Sequence, residues 1–156
     1  MDPLVVDSPE AVTEVVSWYA PSLGLADWSF ECRWNAVTDN DSQAECHRDP
    51  CHRSAVIIVN DSAKYVHQRQ WAKFHDPEAS AIHELIHVAM VDYEQQVERA
   101  IAFIPDGDLK ATIVADVEKY HERFVNAMSF ALKSTAYADR DGPPPSYTRV
   151  FAGSRG

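Results

Sequence analysis

The stretch Ala81-Ile82-His83-Glu84-Leu85-Ile86-His87-Val88 limits this chain more than any other part of it. It reads H-E-x-x-H with apolar residues in the gaps. On a helix, two histidines four residues apart share one face, a single turn from each other. Two imidazoles placed so can grip one zinc ion at about 2.0–2.1 Å per nitrogen. Glu84 follows the first histidine and stands at the edge of the same site, where it can take a proton from a zinc-bound water. The alternative is a helix that merely carries two surface histidines. Against it, Ile82, Leu85, Ile86 and Ala89 form a buried stripe, and histidines beside such a stripe need partners for their ring nitrogens. A metal supplies one to each.

The chain has 156 residues, the size of one domain with one core. Apolar residues make up 46%, with no run of about 18 that would cross a membrane. The start, Met1-Asp2-Pro3-Leu4-Val5-Val6-Asp7, lacks the basic and long apolar regions of a secretory signal. A formal charge of −10 argues against a nucleic-acid surface, because phosphate backbones need basic patches. Cys32, Cys46 and Cys51 are odd in number, which with no signal segment suggests reduced thiols in a cytoplasm, that of a bacterial host if the chain is phage-encoded. Cys46-His47 and Cys51-His52 make a C-H-x-x-x-C-H cluster that suits a second, structural metal. No further ligand pair at zinc-finger spacing follows it, so a solvent-facing turn with incidental cysteines is the simpler reading.

Taken in order, Ser8-Pro9-Glu10 reads as a cap and a first helical proline, and Val12, Val15, Val16 and Tyr19 follow at helical spacing until Pro21. From Trp28 to Ala36 the pattern alternates, with Trp28, Phe30, Cys32, Trp34 and Ala36 on one face of a half-buried strand. Thr38 to Ser42 reads as a turn, Ala44 to His47 as a short returning strand and Ser54 to Asn60 as a buried strand. Short turns between three strands predict an antiparallel meander. His67 and His75 fall in a polar, aromatic segment and read as surface histidines. Asp76-Pro77-Glu78 caps the motif helix. The run from Val88 to Ile104 stays helical with a break near Asp92, Pro105-Asp106-Gly107-Asp108 is a turn, and a long helix follows from about Leu109 to Ala136. Its apolar stripe, Ile113, Val117, Tyr120, Phe124, Met128 and Ala131, is expected in the core. The reading is α+β: an N-terminal helix, a three-stranded, mostly antiparallel sheet, the motif helix and a long C-terminal helix. It covers a single domain over 1–137, with 138–156 as a disordered tail.

A catalytic zinc takes three protein ligands and a water. Glu98, Glu118 and Glu122 compete for the third place. Glu98 lies eleven residues after His87, about 16 Å along an unbroken helix, and needs a sharp turn to reach back. If the last two helices fold back on each other about Pro105–Asp108, the position opposite His87 falls near Asn126, one turn from Glu122. Glu122 is therefore preferred, with Asn126 as support for a ligand side chain. His121 and Tyr120 neighbour it; either could serve a developing oxyanion, although Tyr120 belongs to the stripe and reads as packing.

The chain resembles a zincin and, more narrowly, the small H-E-x-x-H metallopeptidase-type proteins of phages and actinobacterial prophages. The residues that carry the likeness are Arg53 to Asn60, then His83 to His87, then Glu122-Arg123-Phe124-Val125-Asn126, within a span from Trp28 to Leu132. The resemblance implies a minimal zincin-like fold and a gluzincin-type site, with His83 and His87 as ligands, Glu84 as base and a helical glutamate as third ligand. The spacing from His87 to Glu122 is longer than in thermolysin-like members. The expected function is zinc-dependent hydrolysis of a peptide or protein substrate, with no nucleic-acid or membrane partner, and with the strand Ala55–Val59 offering an edge to an extended peptide. The competing expectation is a zinc-stabilised phage structural or regulatory module with little or no turnover.

Overall fold

A computed structural model describes residues 5–36, 42–61, 76–139 and 149–152. His67 and His75, and most of the turn expected at 38–42, lie outside the described residues. Helix α1 runs Pro9–Tyr19; the Ser8 hydroxyl accepts from the Ala11 amide at 3.2 Å, and Val12, Val15, Val16 and Tyr19 are all buried. Strands β1 (Ser29–Trp34), β2 (Ala44–Asp49) and β3 (Ser54–Val59) follow, then helices α2 (Pro77–Ala89), α3 (Val91–Ala102) and α4 (Asp108–Asp139), and a last strand, β4 (Arg149–Ala152).

The class is α+β, but the sheet is not the expected three-stranded antiparallel meander. Its order is β2-β3-β1-β4. Only β2 and β3 form a hairpin; β1 runs parallel to β3 in the register Phe30↔Ala55, Cys32↔Ile57, Trp34↔Val59. The residues of β3 explain this. Ala55, Ile57, Ile58 and Val59 are buried on both faces of the strand, which suits a central position. The link from β1 to β2 spans 35–43, too long for a tight hairpin turn, and its two described ends, Asn35 and Gln43, hydrogen-bond Val59 and Asn60 at the end of β3. Asn35 turns the chain there with φ 57°, a value asparagine tolerates, and its side chain accepts from the Asp61 amide at 2.7 Å.

Two described pieces lie within the stretch expected as a tail, 138–139 and 149–152. α4 continues to Asp139, and β4 pairs in parallel with β1, from Ser29↔Arg149 to Cys32↔Ala152. Val150 and Phe151 are strand formers, and β4 pairs the side of β1 that β3 leaves open. β3 is paired on both sides, so it cannot receive a peptide as a further strand; among the described residues β2 is the edge next to the motif helix.

One face of the sheet carries α1 and α2, and α4 packs across α2. Ala81, Ile82, Leu85 and Val88 of α2 have no exposed surface and meet Phe30, Cys32, Ile57 and Val59 in one core. The start of α2 is tied down by charge. Asp76 caps it, accepting from the Ala79 amide at 3.1 Å, and also pairs with Lys133 of α4. Buried Glu78 accepts from the Tyr19 hydroxyl of α1 at 3.2 Å and lies 3.4 Å from Lys133. One lysine thereby links α4 to two acids of α2, one of which also holds α1.

α4 departs from expectation on its surface. Of its stripe, Tyr120 is 61% exposed and Phe124 50%, so Tyr120 is not core packing. The helix buries Val125 and Ser129 instead, with Met128 and Leu132 partly covered. An apolar stripe says that a helix has an apolar face; it does not say what lies against it.

Candidate metal centre

The break between α2 and α3 comes at Met90, two residues before the expected Asp92, and turns the chain before the turn at Pro105–Asp108 sends α4 back over α2. Three of the anticipated residues then converge. His83 Nε2 and His87 Nε2 are 3.1 Å apart. Glu122 reaches them with separate oxygens, Oε2 at 3.4 Å from His83 and Oε1 at 3.2 Å from His87. Donors about 2.0–2.1 Å from a tetrahedral ion stand about 3.3 Å from one another. The two imidazole nitrogens stand at nearly that spacing and each faces its own oxygen of Glu122 at a similar distance, so the three side chains could hold a metal ion.

The opposite ring nitrogens say the same. His83 Nδ1 is 3.1 Å from Asn126 Oδ1, and His87 Nδ1 is 3.1 Å from Glu94 Oε1. An acceptor on Nδ1 sets the proton there and leaves Nε2 as a lone pair. Two such lone pairs and a carboxylate facing one another repel unless a cation or a shared proton lies among them. Burial lowers the His83 pKa, and the neighbouring His87 adds to the effect. Burial also acts to lower that of His87, but the Glu94 hydrogen bond and the charges of Glu84 and Glu122 outweigh it, and the net direction is up.

Glu94 was not foreseen, and nor was the residue that holds it. Arg48 pairs with Glu94 Oε2 and donates to the His87 carbonyl at 2.9 Å, in the last turn of α2, where carbonyls lack helical partners. Burial alone would raise the Glu94 pKa; the hydrogen bonds from His87 and Arg48 reverse that and keep it a carboxylate. His121 Nε2 lies 3.2 Å from Glu94 Oε1, but not in line for a hydrogen bond. Its ring stands 5.2 Å from that of His87, on the side away from the cavity that the ligands face, which does not favour its reading as an oxyanion helper. Glu94, His87 and His121 are close enough for a second ion. The Arg48 guanidinium already on Glu94 makes the group a brace for His87 instead. Glu98 and Glu118 sit in this rear region and do not join His83 and His87.

The pleat of β2 accounts for its part. Ala44, Cys46 and Arg48 alternate onto the helix side of the strand. Ala44 lines the front cavity, the Cys46 thiol hydrogen-bonds Glu84, and Arg48 reaches Glu94. Burial, then the charge of Glu84, raises the Cys46 pKa. His47 points the other way, exposed and 3.2 Å from Glu45; Cys51 and His52 lie exposed in the turn beyond. The four cysteine and histidine residues of that cluster are not among the metal-capable groups of the described residues.

The front cavity, about 460 Å³, is lined by His83, Glu84, His87 and Glu122 together with Gln43, Ser80, Asn126 and Phe130. Glu84 is buried at its edge, and burial raises its pKa against the opposing pull of His87 and the Cys46 hydrogen bond. Glu122 is half exposed, so the ligand triangle opens toward solvent on this side. No family model, no characterised protein and no solved structure matches this chain.

Proposed function

We propose that this chain is a zinc-dependent metallopeptidase of the zincin kind, with His83, His87 and Glu122 as metal ligands and Glu84 as general base. The observation that carries the reading is the convergence of two imidazole lone pairs and a carboxylate at 3.1–3.4 Å on a cavity that Glu84 also lines. Zinc in that position would lower the pKa of a coordinated water toward neutrality and polarise a substrate carbonyl. The residues of the chain do the rest. Asn126 and Glu94 fix the ring orientations, Arg48 holds Glu94, and Glu84 receives a proton from the attacking water and delivers it to the leaving amine. A carboxyl group whose pKa burial has raised is a better proton acceptor than an ordinary glutamate. Glu122→Gln would keep the shape of the third ligand while removing its charge.

Among the described residues β2 is the edge strand beside α2, and Gln43 and Ala44 at its start line the cavity. An extended peptide would pair with that edge as an added strand, which presents its backbone carbonyl to the site and leaves its side chains to alternate pockets. The competing reading, a zinc-stabilised module without turnover, needs a closed four-ligand site; the solvent-facing side of the triangle favours the enzyme.

The test is Glu84→Gln, assayed on a mixed peptide library by mass spectrometry, with zinc content measured in parallel. Loss of cleavage by at least about a thousandfold with one zinc retained supports the proposal, since both acid–base transfers are removed. Cleavage at the wild-type rate in that variant, or no cleavage by the zinc-loaded wild type, overturns it.

A further inference from the structure

We propose that the outer face of α4 is an interface between two copies of this chain, formed by antiparallel packing of α4 on α4 about a two-fold axis. Ile113, Val117, Tyr120 and Phe124 follow one another at intervals of four, three and four residues. That is the spacing with which one helix seats itself along another. Among the described residues the protomer's own core does not use this stripe: there α4 buries Val125 and Ser129. Beside the stripe, Tyr93 of α3 is 58% exposed, and with Met90 it completes a groove of about 570 Å³.

An apolar groove alone would suit many partners; the charges along it select a second copy. Asp116 and Arg123 are seven residues apart, two turns, and so lie on the same flank of the stripe. They have opposite signs. Arg123 is 5.8 Å from the centroid of the Tyr120 ring, which keeps its guanidinium along the seam. A two-fold axis crossing α4 near Lys119 lays Asp116 of each copy against Arg123 of the other. The same axis brings Phe124 of each copy over the groove beside Ile113 and Val117 of the other. A surface that carries both a projecting ring and the groove to receive it, with paired charges inverted end to end, is self-complementary, as a two-fold contact requires. Parallel packing would turn this flank away from its counterpart and leave the Asp116–Arg123 pairs unmade.

The aromatic contribution is substantial. Six half-exposed rings, three from each copy, would bury on the order of 600 Å² of the roughly 1,200–2,000 Å² that a stable interface covers. The stripe, Met90 and the charged flank add to it. Glu122 and Asn126 project from α4 two residues round from Tyr120 and Phe124, about 200° away, so the pairing leaves the metal centre open.

Sedimentation equilibrium of the zinc-loaded full chain tests the proposal. The expected species is a dimer of twice the 17.5 kDa chain mass. Tyr120→Ser with Phe124→Ser should yield monomer with an unchanged circular dichroism spectrum. Asp116→Arg and Arg123→Asp, each alone, should weaken dimerisation about tenfold, because each places two like-charged pairs across the axis. The double variant Asp116→Arg/Arg123→Asp should dimerise as the wild type does, and so should an equal mixture of the two single variants. A wild-type chain that stays monomeric at every concentration overturns the proposal. So does a dimer indifferent to Tyr120→Ser/Phe124→Ser, or a double charge reversal as weak as either single one.

Discussion

α2 and α4 meet across the candidate metal centre, but they are held there by different forces. α2 has thirteen residues, and Ala81, Ile82, Leu85 and Val88 among them are wholly enclosed by the sheet and α1. α4 has thirty-two residues, and of those described it encloses only Val125 and Ser129. Met128 and Leu132 add partly covered apolar contacts, and the further ties to α2 are polar: Lys133 to Asp76 and Glu78, Asn126 to His83, and Glu122 to both histidines. The hydrophobic core therefore places His83 and His87, whereas Glu122, the proposed third ligand, rides on a helix held by a narrow apolar seam and a few polar contacts. A bound ion would join the loosely held helix to the firmly held one.

The largest expected effect lies on the α2 side. Leu85→Ala should cost about 3 kcal/mol, from the 2–5 kcal/mol that emptying a fully packed leucine site costs, and calorimetry would show it as a lowered Tm. Phe124→Ala on the outer face of α4 should change the stability of a protomer by no more than about 0.5 kcal/mol. Equal losses would break the contrast between the helices.

Next is the effect of the metal. Zinc at a hundred times its Kd should add about 2.7 kcal/mol to the stability of the folded chain. Hydrogen exchange should locate the gain: new protection is expected in α4 around Glu122 and little in α2. Added protection confined to α2 would contradict the contrast. Smaller again, Glu94→Gln should weaken zinc binding ten- to a hundredfold, measured by competition with a chromogenic chelator, because His87 loses the carboxylate that orients it. Asn126→Ala should act on His83 in the same direction.

The smallest effect concerns thiols. Cys51 is exposed, whereas burial pushes Cys32 up to about 12 and raises Cys46 further. Raised pKa values mean less thiolate at neutral pH, so iodoacetamide should label Cys51 alone in the native chain, without loss of stability. Labelling of Cys46 before global unfolding would mean that α2 parts from β2.

What the sequence made legible was local or countable. Both helix caps, Ser8 and Asp76, depend on neighbours in the chain, and both form as expected. Glu122 and Asn126 came from counting back through a helical hairpin about Pro105–Asp108, which needs no knowledge of the sheet. Glu94 was missed because the helix break comes at Met90 and not at Asp92, so that α3 swings a residue seven positions after His87 back onto its ring. Arg48 is thirty-nine residues from His87, and only the order β2-β3-β1-β4 brings it near. That order was hidden because alternation marks a strand without naming its neighbours. The parallel pairing of β1 with β3 follows from β3 being apolar on both faces, a feature the sequence displayed in Ala55 to Val59 without fixing which strands would cover its edges.

The central claim is that two histidines from the enclosed helix and one glutamate from the loosely held one bind a single ion and leave room for solvent. A crystal structure of the zinc-loaded chain, with elemental analysis of the same material, tests it directly. One zinc per chain is expected, bound by His83 Nε2, His87 Nε2 and Glu122, with at least one water completing the shell. Absence of stoichiometric metal after reconstitution, or an ion closed off by four protein ligands, would contradict it.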